Sequence, residues 1–525
     1  MRGKVTLVLA ALLTMSCSKE GLRPERDLNY DYGRNIPHDM IVLGDRLENP
    51  YKTENIEKAL QSLYPTKADR VDVKATNLYV RFLPANEREF ETLKGMTDFL
   101  MDHPLDYDIA VEGDWYHDPD IPENEVTWQY AVVSKGFKFP SIRHEVIDEC
   151  YIAENDPGTR SDGIDWEAVE KEAYRLTGNE HMIDIPDTRS EKMQPAGRIT
   201  IVDEDYCDGK PTGVSGVIVS CNSFVKFDHA VTDRDGYYQM EDTFASDLRY
   251  RIVFKNEKGF SIGFNMVLVP ASVSTLGKSS PSGVDMTITK DSDDKLFRRC
   301  AVNNAAYDYF TRCSHEDLGI SLPPADLRLW IFNGLEASSA VMMHHGAVVR
   351  SNLIEGFLGK FAPLVEYFLP DITLGTKGID SYKHLYSTTC HELSHASHFS
   401  KAGVSYWDRY IKYIMESFLM SGGMTYGDGT GDSSGYCEIG EMWAYYMESK
   451  FYKGRYGGSY PTFGTGHWFY PQIFRYLDER GISTSDIFSV LDEDVTSRTG
   501  LKAALISSFP EDRMVIEQIF SRYQP

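Results

Sequence analysis

His391-Glu392-Leu393-Ser394-His395 is the stretch on which the reading of this chain turns. Residues four apart on an α-helix lie on one face, about one turn apart. His391 and His395 can therefore present two imidazole nitrogens to one metal ion. Glu392, beside them, is placed to take a proton from a water at the same point. Such a histidine pair suits zinc, and H-E-x-x-H joins two ligands to a general base. The flanking residues, Tyr386 to Cys390 and Ala396 to Phe399, hold no helix breaker, and none follows until Gly403.

Two histidines leave a catalytic zinc one protein ligand short. His398 extends the pattern, but on a continuous helix it lies about 10 Å along the axis from His391, at about 1.5 Å per residue. That is too far for both to reach one ion together with His395, so His398 reads as a surface histidine or one that supports the ligands. Metzincins place a bending Gly and then a more distant His where this chain has His398 and Lys401, and that class is excluded. The remaining carboxylates are Glu438 and Glu441, in Tyr436-Cys437-Glu438-Ile439-Gly440-Glu441-Met442-Trp443-Ala444-Tyr445-Tyr446-Met447.

That segment resembles the second metal helix of the gluzincins, the thermolysin-like and aminopeptidase-like zinc peptidases. In that class a Glu ligand is followed by an aromatic, then Ala, then often another aromatic. Glu441-Met442-Trp443-Ala444-x-Tyr446 fits this pattern, and Glu438 fits it less well. The resemblance covers residues 296–525 only. It implies Zn2+ held by His391, His395 and Glu441, with Glu392 as the general base that then passes its proton to the leaving amine. It implies a peptide or protein substrate, a glycoprotein included. The class also uses a Tyr or His to hold the developing oxyanion; His467 is the first candidate and Tyr470 the second, in Gly466-His467-Trp468-Phe469-Tyr470.

The interval from His395 to Glu441 is longer than the commonest spacing of that class. An amphipathic run, Trp407 to Met420, and a Gly/Asp/Ser-rich loop, Ser421 to Gly435, fill it as an inserted helix and loop. Upstream, Pro370 to Gly375 alternates like a short strand and is a candidate edge for pairing with an extended peptide. His344 and His345 would point to opposite faces of a strand, which makes them cleft candidates and not a metal pair.

At the other end, Arg2 and Lys4 precede an apolar run, Val5 to Leu13, that ends at Thr14-Met15-Ser16-Cys17. This resembles a bacterial lipoprotein signal, with cleavage before Cys17 and acylation of its thiol. The run is too short to span a bilayer. The resemblance implies contact with membrane only through the lipid, on the outer membrane or surface of a Gram-negative cell, with a polar linker behind it.

The 525 residues suffice for three domains of ordinary size. With 79 acidic and 54 basic side chains the net charge is −25, which argues against nucleic acid and against basic-patch binding to anionic lipid. Of eight cysteines, Cys17 goes to lipid. Cys207/Cys221, Cys300/Cys313 and Cys390/Cys437 are pairs to test for disulfides, the last of which would clamp the two metal-bearing helices. The alternative for that pair is two buried thiols.

The expected architecture is multidomain. Residues 1–17 are the signal, 18–35 the linker, 36–190 an α+β domain, 195–290 a β-sandwich and 296–525 a mainly α, zincin-like catalytic domain with a small edge sheet. In the first domain, Thr53–Leu63 reads as a helix with Ile56, Ala59, Leu60 and Leu63 on one face. Leu78–Leu83 reads as a strand, and Asn86 as the cap of a helix carrying Phe90, Leu93, Phe99 and Leu100. Asp108–Glu112 and Trp128–Val133 read as strands and Asp165–Leu176 as a helix. His117, Asp118 and Asp120 read as a polar turn in preference to a cation site. In the second, Ile199–Val202, Gly216–Ser220, Phe224–Phe227, Tyr237–Met240 and Tyr250–Phe254 are short strands with turn signals between them. Gly216-Val217-x-Val219 and Thr232-Asp233-Arg234-Asp235-Gly236-Tyr237-Tyr238 resemble the carboxypeptidase-regulatory, transthyretin-like module, a structural unit whose Asp-x-x-Gly turn joins two strands. Too few acidic residues surround Asp233 and Asp235 for a calcium loop.

Two functions compete: a lipid-anchored zinc metallopeptidase, and a surface lipoprotein that captures protein or glycan and carries a degenerate zincin domain. Survival of Glu392, both histidines and Glu441 favours the first. A zinc enzyme acting on mucin glycopeptides is a third reading that the sequence does not separate from plain proteolysis.

Overall fold

The N-terminal part is built around a strand buried on both faces. In the computed structural model, which describes residues 40–523 apart from 67–70, 72, 98, 123–124, 161–162, 184–191, 264–271, 315, 334–337, 348–368 and 422–425, β2 (Asn77–Leu83) is flanked by β4 (Gln129–Ser134) and β5 (Arg143–Cys150), both antiparallel. The signal, the linker and Cys17 lie outside the described residues. Side chains alternate along a strand, so Leu78, Val80 and Phe82 pack with Leu93 of α2 (Glu87–Met96), while Tyr79 packs on the other face with Trp128 and Tyr174. Helix α1 (Thr53–Leu63) buries Ile56, Ala59 and Leu60 against Val169 and Ala173 of α3 (Trp166–Leu176). Leu63 was expected on this face but is 41% exposed at the helix end. Asn86 accepts from the Glu89 amide and Asp165 from the Ala168 amide, as their positions ahead of apolar runs predict. Helix α2 stops at Met96, so Phe99 and Leu100 lie beyond it. Strands β1 (Val42–Arg46) and β3 (Tyr107–Val111) form a separate pair. His117 directs its nitrogens at the carbonyls of Asp118 and Glu125, each 3.0 Å away, and Asp118 accepts from the Asp120 amide. The segment is a turn, as read.

The central part contains two four-stranded sheets. One runs β14 (Val273–Ser279), β11 (Leu248–Val253), β8 (Ile218–Ser223) and β9 (Lys226–Val231). The other is β10 (Tyr237–Gln239), β6 (Ala196–Ile201) and β15 (Met286–Ile288), with β7 (Thr212–Gly213) on β6. Their apolar faces share one core, Ile199 and Ile201 with Val219, Tyr250 and Ile252. Asp233 Oδ1 accepts from the amides of Asp235 and Tyr237. At Gly236, φ is 84° and a Cβ would lie 2.1 Å from the Ile199 carbonyl oxygen, so this turn requires glycine.

The C-terminal part is mainly helical: α4 (Asp294–Arg312), α5 (Tyr382–Ser421), α6 (Ser434–Tyr456), α7 (Gln472–Glu479), α8 (Thr484–Ser489), α9 (Arg498–Ser508) and α10 (Arg513–Phe520). One sheet joins it to the central part. Strands β12 (Lys255–Asn256) and β13 (Phe260–Gly263) continue into β16 (Leu327–Phe332) and β17 (Ile372–Gly375), the last three mutually parallel. The β17 edge is covered at Thr373, whose amide and carbonyl both pair with Ser339, so that position is not open to a peptide strand. No helix among the described residues is long and apolar enough to cross a membrane.

Candidate metal centre

Helix α5 carries H-E-x-x-H in its first half and breaks at Gly403, with φ 79° and ψ 174°. That conformation is open essentially to glycine alone. It turns the second half back on the first, so Trp407 and Tyr410 both stand 5.7 Å, ring to ring, from His395. The inserted helix expected from Trp407 to Met420 is this second half. Helix α6 lies alongside, held where Trp443 Nε1 donates to the Ser394 carbonyl. Gly440 of α6 faces Tyr410 and His395, where a Cβ would stand at ordinary contact distances of 3.4 and 4.0 Å.

This packing brings His391, His395 and Glu441 together. His391 Nε2 and His395 Nε2 are 3.2 Å apart, His395 Nε2 is 3.5 Å from Glu441 Oε1, and His391 Nε2 is 3.6 Å from Glu441 Oε2. All three residues are buried, and the group could hold a metal ion. Burial pushes the His395 pKa down to about 3, helped by His391 and His398 and opposed by Glu441, so the ring is neutral and able to ligate. Burial opposes the charge on Glu441, yet the two imidazoles and the Tyr410 hydroxyl outweigh it and hold the carboxyl below its ordinary value. Glu392 is fully buried beside His391. Glu438 stays outside the group, 3.4 Å from Arg498, and burial raises its pKa.

Two supporting contacts had no counterpart in the sequence reading. Glu448 Oε2 lies 3.1 Å from His391 Nδ1, and Tyr410 donates to Glu441 Oε1 at 2.5 Å. Glu448 was discoverable: Glu441, Tyr445 and Glu448 fall at i, i+4 and i+7, one face of a helix. Tyr410 reaches the site only through the Gly403 break.

Of the two oxyanion candidates, His467 is the one near the centre. Its ring stands 6.0 Å from that of Tyr445, which itself contacts His391 at 4.4 Å. Burial lowers the His467 pKa, with Glu441 and His391 also acting on it. Tyr470 instead packs on Tyr523 and under Arg498. The structure also sets Tyr445 and Tyr426 hydroxyl to hydroxyl, 3.2 Å apart. His398 is not a surface residue: it is buried against Tyr406 and Trp407, and neither ring nitrogen has a hydrogen-bond partner among the described residues. Cys390 and Cys437 are separate buried thiols, and none of the seven described cysteines is bridged. His345 Nδ1 pairs with Asp371 at 2.9 Å. Compared with known proteins, the chain matches no family model, no curated protein and no solved structure.

Proposed function

We propose that this chain is a zinc metallopeptidase of gluzincin type, anchored by lipid at Cys17. The observation that carries the reading is the convergence of three buried ligand atoms beside a buried glutamate. Ligands about 2.0–2.1 Å from zinc at tetrahedral angles stand about 3.4 Å from one another. Here the two imidazole nitrogens are 3.2 Å apart, each lies 3.5–3.6 Å from one oxygen of the Glu441 carboxylate, Oε1 for His395 and Oε2 for His391, and one ligand atom from each residue falls within 4.8 Å of the others. When bound, zinc supplies Lewis-acid polarisation of a substrate carbonyl and acidifies a water.

The chain's own residues do the rest. Glu448 fixes the orientation of His391 so that Nε2 faces the other ligands. Tyr410 does the same for Glu441. Glu392 accepts the proton of the attacking water as the oxygen–carbon bond forms, then gives it to the amine as the carbon–nitrogen bond breaks. His467 is the group assigned to the developing oxyanion. The central sheets, taken as a transthyretin-like sandwich, serve as scaffold. The capture-protein alternative leaves the two contacts behind His391 and Glu441 without a purpose.

The test is turnover of a quenched peptide library by the purified chain before chelation, after it and after zinc is returned. Loss and recovery support the reading; hydrolysis that persists after complete metal removal overturns it.

A further inference from the structure

A cavity of about 430 Å³ lies where the N-terminal, central and C-terminal parts meet, and no residue of the metal centre lines it. Its size is in the range of small-molecule sites. Phe90, Val253, Phe260 and Val273 give it an apolar wall. Two guanidinium groups also line it, Arg251 of β11 and Arg328 of β16, only 3% and 5% exposed.

Arg251 is the anomaly. It donates to Asn222 Oδ1 and to His103 Nε2, each at 2.9 Å, and both acceptors are neutral. Among the described residues no carboxylate pairs with it. The acids of the wall are engaged elsewhere. Asp114 binds Lys295 and Arg299 at 2.7 and 3.0 Å, and Asp102 binds His103 at 2.9 Å. Glu91 is divided between Lys94 at 3.0 Å and Arg328 at 3.7 Å. Asp326 sits at the exposed rim. A cation removed from water without a paired anion is unfavourable, and burial, with Arg249 nearby, pushes the Arg251 pKa down to about 10 against the more distant charges of Asp102 and Glu112. An anionic group entering the cavity would relieve that penalty, and the apolar wall suits the rest of such a molecule.

We propose that this cavity binds a small organic anion, a carboxylate on an apolar body, with Arg251 and Arg328 holding the carboxylate. The site is independent of the metal centre and would tie the three parts of the chain together when filled.

Titration calorimetry on the full chain tests this, with octanoate and N-acetylphenylalanine as anionic probes. Octan-1-ol and N-acetylphenylalaninamide are their neutral counterparts. At least one anion is expected to bind one per chain, at least tenfold tighter than its counterpart, with or without chelator. Which anion prevails distinguishes an aliphatic from an aminoacyl ligand. Arg251→Gln should remove the preference and Arg251→Lys restore part of it. Val253→Trp, which fills the cavity and leaves its charges alone, should weaken binding at least tenfold, and it carries the test if Arg251→Gln does not fold. Equal binding of anion and neutral counterpart, no binding by any probe, or binding unchanged in Val253→Trp would overturn the proposal.

Discussion

His391 and His103 are wired alike at one nitrogen and differently at the other. Each is buried and sets Nδ1 against a carboxylate, Glu448 at 3.1 Å and Asp102 at 2.9 Å. Beyond that point His103 Nε2 accepts from Arg251, a donor that satisfies it. His391 Nε2 faces a second imidazole nitrogen and a carboxylate. One proton can lie between only one pair of those atoms, and the three residues together could hold a metal ion. The same carboxylate–histidine pair is thus a closed structural link at the junction of the three parts and, between α5 and α6, part of a group that could hold a metal ion. What distinguishes them is the charge of the third partner, not the histidine.

The largest effect is expected from Glu392→Gln, which removes the proposed base and none of the three residues that could hold a metal. Turnover should fall by roughly 10²–10⁴ while elemental analysis still finds the metal; turnover at the wild-type rate would remove Glu392 from the chemistry. Next, Glu448→Ala should weaken metal affinity by roughly 10–100-fold, whereas Asp102→Asn should leave it unchanged in a competition with a chromogenic chelator. If both variants bind metal alike, the contrast between the two histidines is wrong. Gly403→Ala should cost about 1–3 kcal/mol in denaturant unfolding. A Cβ there meets nothing within 4 Å, so the whole cost is backbone strain, and an unchanged midpoint would mean the helix is not bent there.

The smallest effect is confined to acid. Burial pushes the His398 pKa down to about 3 from its ordinary 6.5, with Lys401 adding to it. Above pH 6.5 neither folded nor unfolded chain protonates it and the group has no influence. As pH falls from about 6.5 towards 3, the unfolded chain takes up a proton that the folded one refuses, so stability is lost. His398→Phe should flatten the acid limb of stability against pH in metal-free protein; an identical slope would show that His398 takes no part in it.

Where local chemistry decides, the sequence was legible. Thr53–Leu63 was readable because its apolar residues repeat at helical spacing, and the Asp233–Gly236 turn because its hydrogen bonds are local. Strand β5 was missed because its side chains are largely exposed and polar, RHEVIDEC, and carry no alternation. The parallel pairing of β13 with β16 was missed because nothing in either segment records a partner more than 60 residues away.

By itself the sequence determined the spacing of His391, Glu392 and His395, because an α-helix converts a separation of four into one face. It also narrowed the third ligand to Glu441 or Glu438. The resemblance favoured Glu441, and the tertiary structure places that residue, not Glu438, with the histidines. Glu441 faces the histidines across the α5–α6 contact, while Glu438, about one turn earlier, faces Arg498. The tertiary structure alone showed that Gly403 folds Tyr410 onto Glu441, and that Arg251 is buried beside a cavity with no carboxylate paired to it among the described residues. Those are relations between segments distant in the chain, set by packing and burial, and no local pattern of residues encodes them.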